Sequence, residues 1–444
     1  MVSGERKNGM SRRIFYDGLN LSLEHGTGIA TYTRMLARIA GELGYEVGAV
    51  YSSPHNASKI PLMREIAFFD PHNAARISRR RGTYNYVMDQ IQYFRGVKPS
   101  PVDLSGAVVT EQFSKRLLLR DHIFVSRNLF VNARLYYGWS GRFAEMHFDV
   151  QPDILHCTYQ LPLRAKGACN IYTIHDLVPL RLPFATLDNK RQTYRLLRKI
   201  AAEADHIVTV SENSKRDIIA LLGVPEERVT NTYQAVEFPR QSTERSEAEI
   251  AEQLRGSYQL EFRNYLLFYG ALEPKKNVAR LLDAYMLSGA DIPLVVIGAG
   301  GWGNDTETRM LDQLRARAGS RRRDGRRVHR LDYVSIPMLV TLIRGARAVL
   351  FPSLYEGFGL PVLEAMQLGT PVVTSRTSSL PEIAGDAALY VDPYDTYQIA
   401  QAIRTISADE GLRAELAARG RVQAELFSMA RYRERVAALY ERLG

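Results

Sequence analysis

Along the chain, short apolar runs alternate with stretches whose apolar positions recur at helical spacing. RIFYDGLNL reads as a strand that ends in a polar turn. The segment from Ile29 to Leu43 then repeats apolar residues three and four apart, and EVGAVYS reads as the next strand. Further strands are predicted at DILHCT (153–158), NIYTIHD (170–176) and HIVTVS (206–211), separated by helix-like stretches. Strands that alternate with helices predict a parallel sheet covered on both faces. From Pro239 to Leu260 the chain is charged and polar without a strand signal, and it reads as a linker plus a helix. A second run follows, with strands at YLLFYG (265–270), PLVVIG (293–298), VHRLDYV (328–334), AVLFPS (348–353) and PVVTS (371–375). Three helical stretches close the chain between Thr396 and Leu443. The expected architecture is therefore α/β, with two similar domains, 1–238 and 263–444, facing across a cleft and joined by a linker at 239–262.

Residues from about 52 to 150 fit this alternation less well. They mix basic and aromatic side chains, as in RISRRRGTYNYVMDQIQYFR and FSKRLLLRDHIFVSRNLF. One reading is helices packed on the first sheet with solvated basic faces. The other is an acceptor-binding or membrane-surface insert, because basic residues beside aromatics suit an anionic interface.

Composition narrows the class. A chain of 444 residues accommodates two domains of ordinary size. No stretch approaches the roughly 18 uninterrupted apolar residues of a membrane-spanning helix. The N-terminal MVSGERKNGMSRR is polar and lacks a signal-peptide core. With only Cys157 and Cys169, neither a disulfide framework nor a cysteine zinc site is expected, and the cytoplasm is the default compartment. The net charge of +10 is uneven: the first 235 residues hold 31 Lys+Arg against 22 Asp+Glu, the rest 27 against 26. An anionic partner is therefore expected on the N-terminal side, with nucleic acid, anionic lipid head groups and phosphorylated substrates all open on charge alone. No nucleic-acid-binding motif accompanies the charge.

Two glycine-rich segments carry candidate chemistry. VVIGAGGWG (295–303) places Gly298, Gly300 and Gly303 in the spacing G-x-G-x-x-G of a dinucleotide-binding turn. Its context fits poorly. The loop follows the second strand of its domain, and the acid expected about 20 residues on is replaced by Gly319, Ser320 and arginines, with Asp332 coming late. The second segment is FPSLYEGFGLPVLEAMQLGTPVVTS (351–375), where seven residues separate Glu356 from Glu364. Glu356 should lie in a strand-to-helix loop and Glu364 about a turn into the helix. Gly357 and Gly359 before a helix N-terminus let a ligand approach backbone N–H groups suited to phosphate.

This stretch resembles the C-terminal signature of glycosyltransferase family 4, the retaining, nucleotide-sugar-dependent enzymes of GT-B fold, whose Glu-x7-Glu motif it matches as EGFGLPVLEAMQLGTPVV. LLFYGALEPKKNVARLLDAY (266–285) and PLVVIGAGG resemble the segments that open the family's second domain. The glycine fingerprint then belongs to that fold, and NAD is not required. The resemblance implies that Glu356 contacts the donor hexose and that Glu364 holds the donor ribose. The backbone of Gly357, Phe358, Gly359 and Leu360 would face the sugar and diphosphate, with Gly270 also at the donor. Lys276 would neutralise the leaving diphosphate. Many relatives carry arginine after the glycine equivalent to Gly270. Here Ala271 stands there, and Lys275 is the candidate for the second positive charge. EHGTGIATYTRML (24–36) resembles the family's first glycine loop, with Gly26, Thr27 and Gly28 approaching phosphate and acceptor. His175, in YTIHDLVP, resembles the donor-contacting histidine, with Asp176 a candidate to orient its ring. Ser211 reads as a helix N-cap.

The implied reaction moves a hexose from a nucleotide diphosphate sugar to a glycan or polyprenyl-diphosphate-linked acceptor in surface polysaccharide synthesis. GDP-mannose is the favoured donor, because LEPKKN resembles polysaccharide mannosyltransferases. No Asp-x-Asp metal motif occurs in the chain, so no metal or other cofactor is expected, and the lysine pair with a helix N-terminus would do the electrostatic work. The expected location is cytoplasmic, peripheral at the inner membrane. An NAD-dependent oxidoreductase, a nucleotide-sugar epimerase of similar build and a basic binding module remain as alternatives.

Overall fold

In the computed structural model, residues 12–23, 28–54, 58–70, 90–114, 116–298 and 328–444 are described. The first sheet has eight strands: β1 (Arg13–Asp17), β2 (Glu46–Ser53), β3 (Ser100–Pro101), β4 (His122–Arg127), β6 (Ile154–Cys157), β8 (Cys169–Thr173), β9 (His206–Thr209) and β10 (Val229–Asn231). Their spatial order is β10-β9-β8-β6-β1-β2-β4-β3, parallel except for β3 against β4. A small parallel pair, β5 (Ala144–Met146) and β7 (Leu163–Ala165), stands apart. The second sheet contains β11 (Leu266–Tyr269), β12 (Leu294–Ile297), β13 (Val328–Leu331), β14 (Ala348–Phe351), β15 (Val372–Ser375) and β16 (Ala388–Val391), in the order β13-β12-β11-β14-β15-β16 and parallel throughout.

Strand alternation builds two cores on the first sheet. Ile14, Tyr16, Val47, Ala49 and Ile154 face one side, under the Gly28–Glu42 helix. Phe15, Val50, Phe124, Leu155 and Tyr172 face the other, under the Leu129–Ser140 and Lys190–Glu203 helices. In the second sheet every residue of β11, β12, β14 and β15 is buried, as a strand sandwiched between helices requires.

The expected strands are all present; NIYTIHD and VHRLDYV each end three residues earlier than expected, at Thr173 and Leu331. The difference lies in the 52–150 stretch. It supplies β3 and β4, which extend the first sheet, together with the Leu129–Ser140 helix beneath it. The polar segment after Pro239 folds as a helix, Glu247–Tyr258, entered through a capping box between Ser246 and Glu249. Its Ile250 and Leu254 join the second domain's core. The last helix, Met429–Leu443, crosses back to the first domain. There the Tyr440 hydroxyl meets Tyr16 and His156, each at 2.9 Å. The chain's final element thus belongs spatially to the first sheet, although sequence grouped it with 263–444.

Each sheet has one place where successive strands turn in opposite directions, and ligands of such sheets bind outside the carboxyl ends there. In the first sheet it lies between β1 and β6, in the second between β11 and β14. The loops leaving these four strands hold the candidate site.

Candidate functional site

At the first switch point, β1 ends in Asp17, whose buried carboxylate accepts hydrogen bonds from the Thr158 N–H (2.5 Å) and hydroxyl (2.9 Å). Thr158, just past β6, offers its carbonyl to the His175 Nε2–H at 3.0 Å. A carbonyl only accepts, so this contact places the ring proton on Nε2 and leaves the Nδ1 lone pair open. Burial holds His175 below its ordinary value, against the raising influence of Thr158 and Asp176, which favours the neutral ring. Tyr32, from the Gly28–Glu42 helix, packs edge-on against it at 5.0 Å. Asp176, expected to orient the ring, instead accepts from the Val178 N–H at 3.1 Å, and the orienting partner is Thr158.

At the second switch point, β11 leads through Gly270 (φ +142°) into a short turn, Pro274–Lys276. Asn277 is left-handed (φ 61°), and its amide donates to the carbonyls of Pro352 (3.0 Å) and Pro393 (2.7 Å). The Leu354 N–H donates to the Lys275 carbonyl at 2.8 Å. These ties lay the lysine turn against the loop leaving β14. The result is an ion pair of 2.7 Å between Lys276 Nζ and Glu356 Oε1, whose side chains are 12% and 8% exposed. Burial alone would push the Glu356 carboxyl up, but Lys276 and Lys275 outweigh it and hold it below its ordinary value. Burial would likewise lower Lys275, yet Asp176, Glu356 and Glu273 keep it above the usual lysine range and charged. Glu364 is the fifth residue of the Leu360–Gln367 helix. Burial pushes it up to about 7, against the lowering influence of Tyr269 and Lys276.

The EGFG loop is fastened from both domains. Ser379 donates to the carbonyls of Glu356 (3.0 Å) and Phe358 (2.7 Å), and Ser211 of the first domain donates to that of Gly357 at 2.6 Å. Three carbonyls are turned toward serines and the Glu356 N–H donates to the Ser378 hydroxyl at 3.0 Å, which leaves the N–H groups from Gly357 to Leu360 for a ligand at the helix start. Both glycines are required here. A side chain at Gly357 would lie 2.6 Å from the His175 carbonyl, and Gly359 is left-handed (φ +110°) with Leu380 at 2.8 Å. Ser211 is the N-cap of the Glu212–Leu222 helix, as its sequence predicts, and this second role is an addition.

The structure thus gathers Lys275, Lys276, Glu356, Gly357, Phe358, Gly359 and His175 around one cleft, with Glu364 and Gly270 at its second-domain wall. Gly28 opens the first helix, where a side chain would sit 3.8 Å from Leu360 of the second domain. Gly26 and Thr27 lie outside the described residues, as do Gly300 and Gly303 of the glycine fingerprint; Gly298 is described, and any side chain there would run into the Gly270 carbonyl. Sequence reasoning missed the contacts that join the halves. Glu382 accepts from the N–H groups of Glu212 (2.7 Å) and Asn213 (3.1 Å), capping a helix of the other domain. The Tyr355 hydroxyl donates to Asp217 and accepts from the Asn213 amide. Leu354 joins Val178, Leu182 and Ala185 in an apolar cluster that spans the cleft. A residue whose partner is over a hundred positions away carries no local signal. Among the described residues, no three His, Cys, Asp or Glu side chains converge as metal ligands.

Comparison with known proteins agrees with this geometry. Among solved structures, sucrose-phosphate synthase from Thermosynechococcus elongatus superposes with a TM-score of 0.63 at 16% identity, covering 97% of this chain and 99% of that one. The Anabaena HepE protein in complex with UDP and glucose gives 0.64 at 15% identity, covering 97% and 100%. The fold is GT-B. The model for glycosyl transferases group 1 matches residues 251–423, and that for Glycosyltransferase Family 4 matches residues 107–237. O-antigen chain mannosyltransferase B of Escherichia coli is 36% identical over 275 residues, 61% of this chain and 69% of that relative. The serotype-specific mannosyltransferase WbdA of Escherichia coli is 29% identical over 301 residues, and this chain spans 36% of its length. The chain belongs to glycosyltransferase family 4 and is a glycosyltransferase. That assignment sets aside the oxidoreductase and basic-module readings that sequence had left open.

Proposed function

We propose that this enzyme transfers a mannosyl residue from GDP-mannose, with retention of configuration, to a glycan or polyprenyl-diphosphate-linked glycan in surface polysaccharide synthesis. The observation that carries this reading is the Lys276–Glu356 pair at the second sheet's switch point, facing His175 at the first. The mannosyltransferase names of two relatives support the choice of sugar.

The chemistry follows from the charges. Lys275 and Lys276, with the N–H groups at the start of the Leu360–Gln367 helix, stabilise the diphosphate as the anomeric C–O bond breaks. Glu356, ionised by its lysines, accepts hydrogen bonds from hexose hydroxyls and orients the ring. Glu364 accepts from the ribose. The neutral His175 offers Nδ1 to a donor hydroxyl. Glu356 is paired with Lys276, which disfavours it as a nucleophile. The acceptor oxygen therefore bonds on the face the diphosphate leaves, and its proton passes to the departing phosphate oxygen. The products are the mannosylated acceptor and GDP.

The test is transfer to a lipid-linked or glycan primer from GDP-mannose, UDP-glucose and ADP-glucose in parallel, with the product's anomeric configuration read by NMR. Turnover with GDP-mannose and an α product is expected. Turnover only with another donor, or an inverted product, would overturn the reading.

A further inference from the structure

The carboxylate of Asp17, at the end of β1, is buried. Both of its oxygens accept hydrogen bonds: Oδ2 from the Thr158 N–H (2.5 Å) and hydroxyl (2.9 Å), Oδ1 from the Leu19 N–H (3.3 Å). Acceptance at both oxygens suits the ionised form. Burial pushes Asp17 up. The groups that oppose this are the donors of Thr158, Leu19 and Tyr159, and no cation is among them. A buried carboxylate held only by amides and a hydroxyl is unfavourable, and an asparagine would fill the same space without the charge. Packing therefore does not account for the acid. Tyr51 and Cys157, which feel its charge, are pushed up by burial and stay neutral.

Its donors lead to the cleft. Thr158 grips Asp17 by its N–H and hydroxyl, while its carbonyl accepts the His175 Nε2–H at 3.0 Å. The Tyr159 N–H, the other end of that same peptide group, also acts on Asp17. Carboxylate, peptide and imidazole thus stand in series, and hydrogen bonds in series polarise one another. Negative charge behind the peptide makes the Thr158 carbonyl a stronger acceptor for a proton on Nε2. The Gly28–Glu42 helix closes the arrangement. Its Thr33 hydroxyl lies 2.8 Å from that of Thr158, and its Tyr32 ring stands edge-on to His175.

We infer that Asp17 is a positioning residue for transfer: acting through Thr158, it holds His175 in the Nε2–H form with Nδ1 open to the donor, and touches no substrate itself. The catalytic part of this inference rests on the reading of His175 as a donor contact. The tautomer does not.

The tautomer is read first, without substrate, from the NMR signals of the imidazole nitrogens in the full chain. His175 is assigned by the signal lost in His175→Ala. The native ring should carry its proton on Nε2 alone, and Asp17→Asn should mix the two tautomers. If that variant does not fold, Thr158→Val removes one bond to Asp17, keeps the carbonyl and should move the signals in the same direction. Transfer from GDP-mannose then gives a double-mutant cycle. Asp17→Asn should lower kcat at least about tenfold in the native chain. In the His175→Ala background the same change should lower it by less than about twofold. A spectrum unchanged by both variants, or an equal fold-loss in the two backgrounds, would overturn the inference and leave the donor-contact reading standing. Undiminished kcat in His175→Ala would overturn that reading, and with it the catalytic part of this one, whatever the spectrum shows.

Discussion

At the scale of single residues, the buried Lys276–Glu356 pair makes the sharpest prediction. Lys276→Met leaves a carboxylate in a site where burial already opposes its charge, and should destabilise the fold by about 3–5 kcal/mol. Combining it with Glu356→Gln removes the orphan charge and should restore most of the loss. Urea denaturation of both variants measures this, and equal losses would show that the pair is not coupled. Glu364 sets a pH dependence. Its folded-state value of about 7 lies above the ordinary carboxylate value, so the folded chain binds the extra proton between the two. The stability contributed by this group is therefore full below about pH 4.5 and is lost as pH rises through about 7. The ionised form is the better acceptor for ribose hydroxyls, so nucleotide affinity should rise from about pH 6 to about pH 8. Glu364→Gln should flatten that rise in calorimetric titrations. A rise that persists in the variant would assign the titration elsewhere.

At the scale of elements, the candidate residues were legible because each follows a strand that its apolar run announces. Lys275 and Lys276 come after YLLFYG, Glu356 after AVLFPS and His175 ends YTIH. Boundaries there are sharp because buried parallel strands are continuously apolar. The strands that went unread lack that contrast. HIFVSR of β4 sits among arginines and leucines, and β10 has only three residues. The fastening of the EGFG loop was equally hidden, since Ser211 reads as a helix N-cap and nothing in the sequence marks Ser379. That fastening predicts the effect of Gly357→Ala. The new methyl would meet the His175 carbonyl at 2.6 Å, so the two loops must part. A displacement approaching 1 Å should lower kcat/KM by about a hundredfold. Melting temperature should change little, since the strain is relieved by separating the domains. Steady-state kinetics beside thermal unfolding distinguishes this from general destabilisation.

At the scale of the whole molecule, two sheets with the same strand logic present their switch points to each other, and hydrogen bonds join them beside the apolar cluster around Leu354. Glu382, Tyr355, Asp217 and Asn213 form hydrogen bonds that water can replace, which suits a cleft that opens for substrate and closes for transfer. The Met429–Leu443 helix is the counterweight, holding the halves together whatever the cleft does. Its anchor is buried: Tyr440 meets Tyr16 and His156, and burial lowers His156 to about 3, keeping it neutral. Tyr440→Phe strands two polar partners and should cost about 1–3 kcal/mol, read by denaturation. Sequence placed this helix correctly along the chain but not in space, because its apolar stripe fits either sheet.

The central claim is that the facing loops form one nucleotide-sugar site. Its most direct test is isothermal titration with GDP, UDP, ADP and NAD, on the native chain and on Lys276→Met and Glu364→Ala. The account predicts that GDP binds, that NAD does not, and that each substitution weakens GDP by at least about tenfold through loss of a charged or hydroxyl contact. Binding of NAD, or GDP binding indifferent to both substitutions, would contradict it.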